Sequence, residues 1–111
     1  MSKFILVYKG QATDLADMSP EQGAAVLGKW RVWMDKVGPA LVDVGAPFGT
    51  GVSLVDDGSA ADAAALTGYS IIEAPDLGTA RQRAEGHPYL SEGKGAFSIE
   101  IYELKPVPFE S

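Results

Sequence analysis

Phe4-Ile5-Leu6-Val7-Tyr8 is apolar at every position. A strand with apolar residues on both faces is buried on both faces, so this segment belongs in the middle of a sheet. The residues ahead of it, Met1-Ser2-Lys3, do not make it a signal peptide. The apolar stretch is short, and no small-residue cleavage site follows. The segment therefore reads as the first strand of a cytoplasmic protein. A length of 111 residues suits one domain, spanning residues 1–111, around one core. A hydrophobic content of 46% is too high for a disordered tail.

After a polar loop over residues 10–18, a helix opens with a clear signal. Ser19 is placed to cap it, Pro20 takes the first helical position, and Gln22 completes a capping box. Val26, Leu27, Trp30, Trp33, Met34 and Val37 recur at helical spacing as one wide apolar stripe. Gly38-Pro39 stops the helix. Ala40-Leu41-Val42-Asp43-Val44 reads as the second strand, broken by the glycine-rich Gly45 to Gly51 and resuming at Val52-Ser53-Leu54-Val55. Asp56 to Ser59 is a turn. Residues 60–66 fit either a short helical turn or a loop. Gly68 to Ala74 is the third strand. Asp76 caps a second helix, whose inner face of Leu77, Ala80 and Ala84 is small enough to lie close to a sheet. Phe97 to Leu104 is the last strand.

Strand, helix, strand, strand, helix, strand is the α+β, ferredoxin-like βαββαβ order. It gives a four-stranded antiparallel sheet with two helices on one face. The other face is left open, yet Phe4 to Tyr8 is apolar on both sides. The last strand likewise carries Phe97, Ile99 and Ile101 on one face with Tyr102 and Leu104 on the other. A patch of that size predicts a partner, and the economical one is a second copy packed sheet to sheet.

Composition narrows the partners further. The chain carries a formal charge of −6, and its nine Lys and Arg are scattered. That pattern argues against nucleic acid, which needs clustered cations. No apolar run approaches the roughly 20 residues that span a bilayer. Without cysteine there is neither a disulfide nor a thiolate nucleophile.

His87 is the only histidine and the best candidate for chemistry. It follows the second helix in Glu85-Gly86-His87-Pro88-Tyr89-Leu90. Near neutral pH an imidazole works as acid, base or ligand, and a helix C-terminus favours its cationic form. The alternative is a capping or packing histidine. One histidine without a carboxylate pair is a poor metal site, and no organic cofactor is expected. Asp43 stands alone among apolar strand residues, where a carboxylate is costly unless paired. Facing inward it orients His87; facing outward it is solvated. Glu73 and Glu100 are weaker candidates on the same argument. Trp30, Trp33, Tyr8 and Tyr69 can line a pocket for a flat small molecule, or simply build core. Gly49-Thr50-Gly51 lacks the lysine and helix of a phosphate loop. The bend it belongs to fits a tight turn or strand bulge.

Several of these stretches together resemble the YCII-related proteins, including the branch named for a DGPF motif. They are the opening Phe-Ile-Leu-Val-Tyr strand, the Trp30/Trp33 helix and Leu41-Val42-Asp43-Val44-Gly45-Ala46-Pro47-Phe48. Gly68-Tyr69-Ser70-Ile71-Ile72 and His87-Pro88-Tyr89-Leu90 complete them. The resemblance implies a ferredoxin-like fold, a dimeric α/β barrel assembly and a pocket between sheet and helices. Some members are proposed to use a dyad: a His on the first helix and an Asp just before a Pro-aromatic pair. Here Lys29 and Trp30 lie near the first position, and His87 precedes Pro88-Tyr89. The expectation is a small-molecule enzyme of lyase, isomerase or hydrolase type built around His87. A non-catalytic dimeric module that binds a small ligand or a protein is the other reading.

Overall fold

In the computed structural model, which describes residues 1–10, 18–90 and 95–106, the all-apolar segment is an inner strand of the main sheet. β1 (Ser2–Lys9) lies between β5 (Leu66–Ala74) and β6 (Ser98–Leu104), antiparallel to both. β2 (Leu41–Pro47) pairs with the far side of β5, so the order is β2-β5-β1-β6. The expected polar loop lies mostly outside the described residues, as does Pro108.

α1 (Pro20–Val37) begins as its sequence dictates. The Ser19 hydroxyl accepts the Gln22 amide at 3.1 Å, and the Gln22 side chain accepts the Ser19 amide at 3.1 Å. Two otherwise unpaired amides are thereby satisfied. α2 (Leu77–Ala84) is capped by Asp76, whose carboxylate accepts the Thr79 amide at 2.7 Å. That bond holds the Asp76 carboxyl below its ordinary pKa.

Both helices contribute to one core, on the sheet face that carries Phe4, Leu6, Tyr8 and Ile72. Trp33 and Val37 come from α1, and Ala80 and Ala84 from α2. The alanines let α2 sit close, and the Trp33 indole N–H donates to the Arg83 carbonyl at 2.9 Å, tying the helices together. Each fully buried large side chain contributes roughly 1.5–3 kcal/mol. The stripe on α1 is narrower than its sequence suggests, since Leu27 is half exposed.

Among the described residues, no helix lies on the opposite face of the sheet. Ile5 pairs in register with Ile71 and Tyr102, and Val7 with Tyr69 and Glu100. These apolar residues are only partly covered.

Two expectations are corrected. The second strand does not resume at residue 52. Val52–Leu54 (β3) pairs instead with Ala60–Asp62 (β4) in a separate two-stranded hairpin. Residues 60–62 are therefore strand, neither helical turn nor loop. The reason for the break is a bulge in β2, where pairing to β5 shifts between Asp43 and Ala46. Gly45 has φ +77°, and a Cβ there would overlap the Tyr69 carbonyl, so the bulge requires glycine.

Candidate functional site

The helix-side core gathers an aromatic box around His87. Gly86, at φ +80°, turns the chain out of α2, and Pro88–Leu90 forms a single 3-10 turn. This drops the imidazole between α1 and the sheet. Its ring lies 4.5 Å from Trp30, 4.4 Å from Trp33 and 4.8 Å from Tyr8, centroid to centroid. Tyr89 stacks on Tyr8 at 5.3 Å and covers the box from the other side. His87 is 1% exposed.

Hydrogen bonds fix the tautomer. The Tyr89 backbone N–H donates to His87 Nδ1 at 2.9 Å, so Nδ1 carries no proton. Nε2 of the neutral ring carries it and faces the Tyr8 hydroxyl at 3.1 Å. The Tyr8 hydroxyl is 2.5 Å from Ser70 Oγ, and Ser70 Oγ donates to the Val44 carbonyl at 2.6 Å. With Ser70's proton committed, Tyr8 donates to Ser70. The chain of donors therefore runs one way, from His87 through Tyr8 and Ser70 to Val44.

Burial sets the protonation states. It pushes the His87 pKa down from 6.5 to about 4, so the ring is neutral. Desolvation outweighs the helix-end field that favours the cation. Burial also raises the Tyr8 pKa to about 12, against an opposing effect from the Ser70 hydrogen bond.

Tyr8, Trp30, Trp33 and His87 thus come together. Asp43 and Tyr69 do not join them, which corrects the expected Asp43–His87 pair. Asp43 pairs in register with Ile71, on the open face of the sheet. There Oδ1 accepts the Gly45 amide at 2.8 Å and Oδ2 accepts the Tyr69 hydroxyl at 3.3 Å. A register shift between Leu41, which pairs with the inward Ile72, and Asp43 turns Asp43 outward, and Tyr8 supplies the partner that His87 finds. Glu100 lies on the open face too, where Lys9 and then Tyr102 hold its carboxyl below the ordinary pKa.

Sequence reasoning overlooked Ser70 and the Tyr89 amide. A faint signal existed for Ser70, a lone hydroxyl among the inward positions Gly68, Ile72 and Ala74 of its strand. Nothing local marks the Tyr89 amide as a histidine partner. As for metal, His87 has both nitrogens engaged, and among the described residues no three His, Cys, Asp or Glu side chains gather.

A cleft of about 710 Å³ runs between α2 and β6. Leu77, Arg81, Leu90, Phe97, Ile99 and Ile101 form most of its lining. It adjoins the aromatic box through one layer of rings: Phe97 packs edge-on against Tyr89 at 5.0 Å. Leu90 is tied to the same turn, its amide donating to the His87 carbonyl at 3.0 Å.

The βαββαβ sheet, its helix layer and the buried histidine turn define a ferredoxin-like α+β domain. The YCII-related domain profile matches residues 3–107, and the chain belongs to that family. No curated protein matches it significantly. Among solved structures it is similar to 5-chloro-2-hydroxyhydroquinone dehydrochlorinase from Burkholderia phenoliruptrix AC1100, in a complex with 2,5-dihydroxybenzoquinone. The identity is 16%, the coverage 93% of each chain and the TM-score 0.56, so the likeness is one of fold.

Proposed function

We propose that this YCII-family protein is a homodimer that binds a small organic molecule in the α2–β6 cleft. His87 serves as a fixed, neutral part of the wall behind that cleft. The observation that carries the reading is the contrast between the two: the cleft opens to solvent, while the imidazole is sealed, with both nitrogens occupied. A cleft of this size lies in the usual range for small-molecule sites. The dihydroxybenzoquinone in the dehydrochlorinase complex supports a ring-sized ligand on this fold. The second copy covers the open sheet face, including Asp43 and Tyr69.

N-phenyl-1-naphthylamine, a neutral fluorescent probe, tests the site. The wild-type protein is expected to bind it equally from pH 8 to pH 5, because His87 stays neutral throughout. Leu77→Trp, which narrows the cleft from the exposed first turn of α2, is expected to abolish binding. Equal binding by Leu77→Trp sinks the assignment of the cleft.

A catalytic reading has one observation in its favour: the dehydrochlorinase is an enzyme. In that reading His87 exchanges a proton with a molecule in the cleft, and Tyr8, Trp30 and Trp33 wall the reacting group. It requires Tyr89 to leave its stack on Tyr8. A ligand-dependent shift in the His87 ring resonances across a pH titration is the result that favours it; a ligand-blind titration favours the binding module.

A further inference from the structure

We infer that the cleft selects an organic anion with an apolar body, and that Arg81 is the residue that recognises it. The inference rests on the α2–β6 cleft being the ligand site. Leu77, Arg81 and Ala84 all line it, at the i, i+4, i+7 spacing of one helix face. A guanidinium thus occupies the middle of a stripe that otherwise faces Phe97, Ile99 and Ile101. Among the described residues no carboxylate lies within ion-pair distance of it.

The neighbouring cations are committed elsewhere. The Arg83 guanidinium donates to the Glu73 carbonyl, and the Lys36 ammonium reaches the Gln82 carbonyl at 3.1 Å and the Glu85 carbonyl beside it. They give this end of α2 a local positive charge in a chain whose formal charge is −6. Glu85 also lines the cleft, but as the residue that ends α2, beside the Lys36 contact. A ligand anion is therefore drawn towards Arg81 and away from Glu85. Guanidinium is well matched to an organic anion. It is planar and weakly hydrated, and it pairs with a carboxylate or sulfonate through two parallel N–H donors. The ligand class is an aromatic or branched aliphatic acid, its body against Leu90 and Phe97 and its acid group at Arg81.

The test compares two probes with one skeleton. 1-Anilinonaphthalene-8-sulfonate carries the anion, and N-phenyl-1-naphthylamine lacks it. At low salt the wild type is expected to prefer the sulfonate by about fivefold, the scale of a partly solvated ion pair. Arg81→Gln is expected to erase the preference while leaving the neutral probe within about twofold; Glu85→Gln is expected to increase it, as removal of a like charge should. Leu77→Trp identifies the signal that belongs to the cleft. Equal affinity for both probes, or an Arg81→Gln variant that keeps the wild-type preference, overturns the choice of anion while the cleft stands. Failure of both probes to bind overturns the cleft itself and the inference with it.

Discussion

The Nε2–H of His87 donates to the hydroxyl of Tyr8, 3.1 Å away, in a space where neither group meets solvent. The pair joins the turn after α2 to the central strand. It is oriented from behind by the Tyr89 amide on Nδ1 and from ahead by Ser70 on the Tyr8 oxygen. This arrangement serves the neutral imidazole alone. A second proton on Nδ1 would face the Tyr89 N–H, donor to donor.

Acid should therefore unfold the protein through this ring. The folded pKa is about 4 and the unfolded value 6.5, so between them the unfolded chain binds a proton that the folded chain refuses. Stability is fully present above pH 6.5 and is lost as the pH falls towards 4. The difference amounts to about 3 kcal/mol for this group. Urea unfolding at pH 7 and pH 4.5 checks it. His87→Gln should flatten the dependence, leaving only the contribution of the carboxylates.

Removing the Tyr8 hydroxyl tests the donor chain. Tyr8→Phe leaves the His87 N–H buried without an acceptor and should cost about 1–3 kcal/mol. Ser70→Ala removes the next link and leaves the Val44 carbonyl unpaired by it. Because both variants break one chain, the double variant should cost less than the two single costs together, by about 0.5–2 kcal/mol. Strict additivity in thermal or urea unfolding would show that the groups act independently.

How much of this was legible depended on how local each signal was. The Ser19-Pro20-Gln22 cap and the inner position of Phe4 to Tyr8 in the sheet are read from neighbours in sequence, and both are present as read, whereas within one chain Ile5 and Val7 are only partly covered. The β3–β4 hairpin is not legible that way. Ala60-Ala61-Asp62 is exposed, carries poor strand formers, and is held by backbone pairing to Val52–Leu54. The face of Asp43 depended on a bulge that slips the register, which alternation alone cannot anticipate. For His87 the helix-end field is a local argument, but its desolvation comes from Trp30, Trp33 and Tyr8, far off in sequence.

Two glycines should respond oppositely to alanine. Gly45 needs its positive φ, and a Cβ there would meet the Tyr69 backbone, so Gly45→Ala should destabilise by at least about 2 kcal/mol. Gly28 lies inside α1, exposed, with open space where a Cβ would stand. Gly28→Ala should stabilise by about 0.5–1 kcal/mol, because alanine has less backbone freedom to lose. Melting temperatures of the two variants check both signs at once.

The last prediction concerns the open face of the sheet. Ile5 and Ile71 are cross-strand neighbours there, each only half covered within one chain. A second copy laid on this face covers them. Equilibrium sedimentation at micromolar concentration should give twice the 11.7 kDa chain mass. Ile71→Lys should give the single-chain mass with an unchanged far-ultraviolet circular dichroism spectrum. The substitution brings like charges together across the interface and buries them without a partner, at a cost of several kcal/mol. Because Ile71 lies outside the helix-side core, the lone chain should keep its fold. A wild-type protein that sediments as one chain removes the dimer, and a dimer that survives Ile71→Lys relocates its interface to another surface.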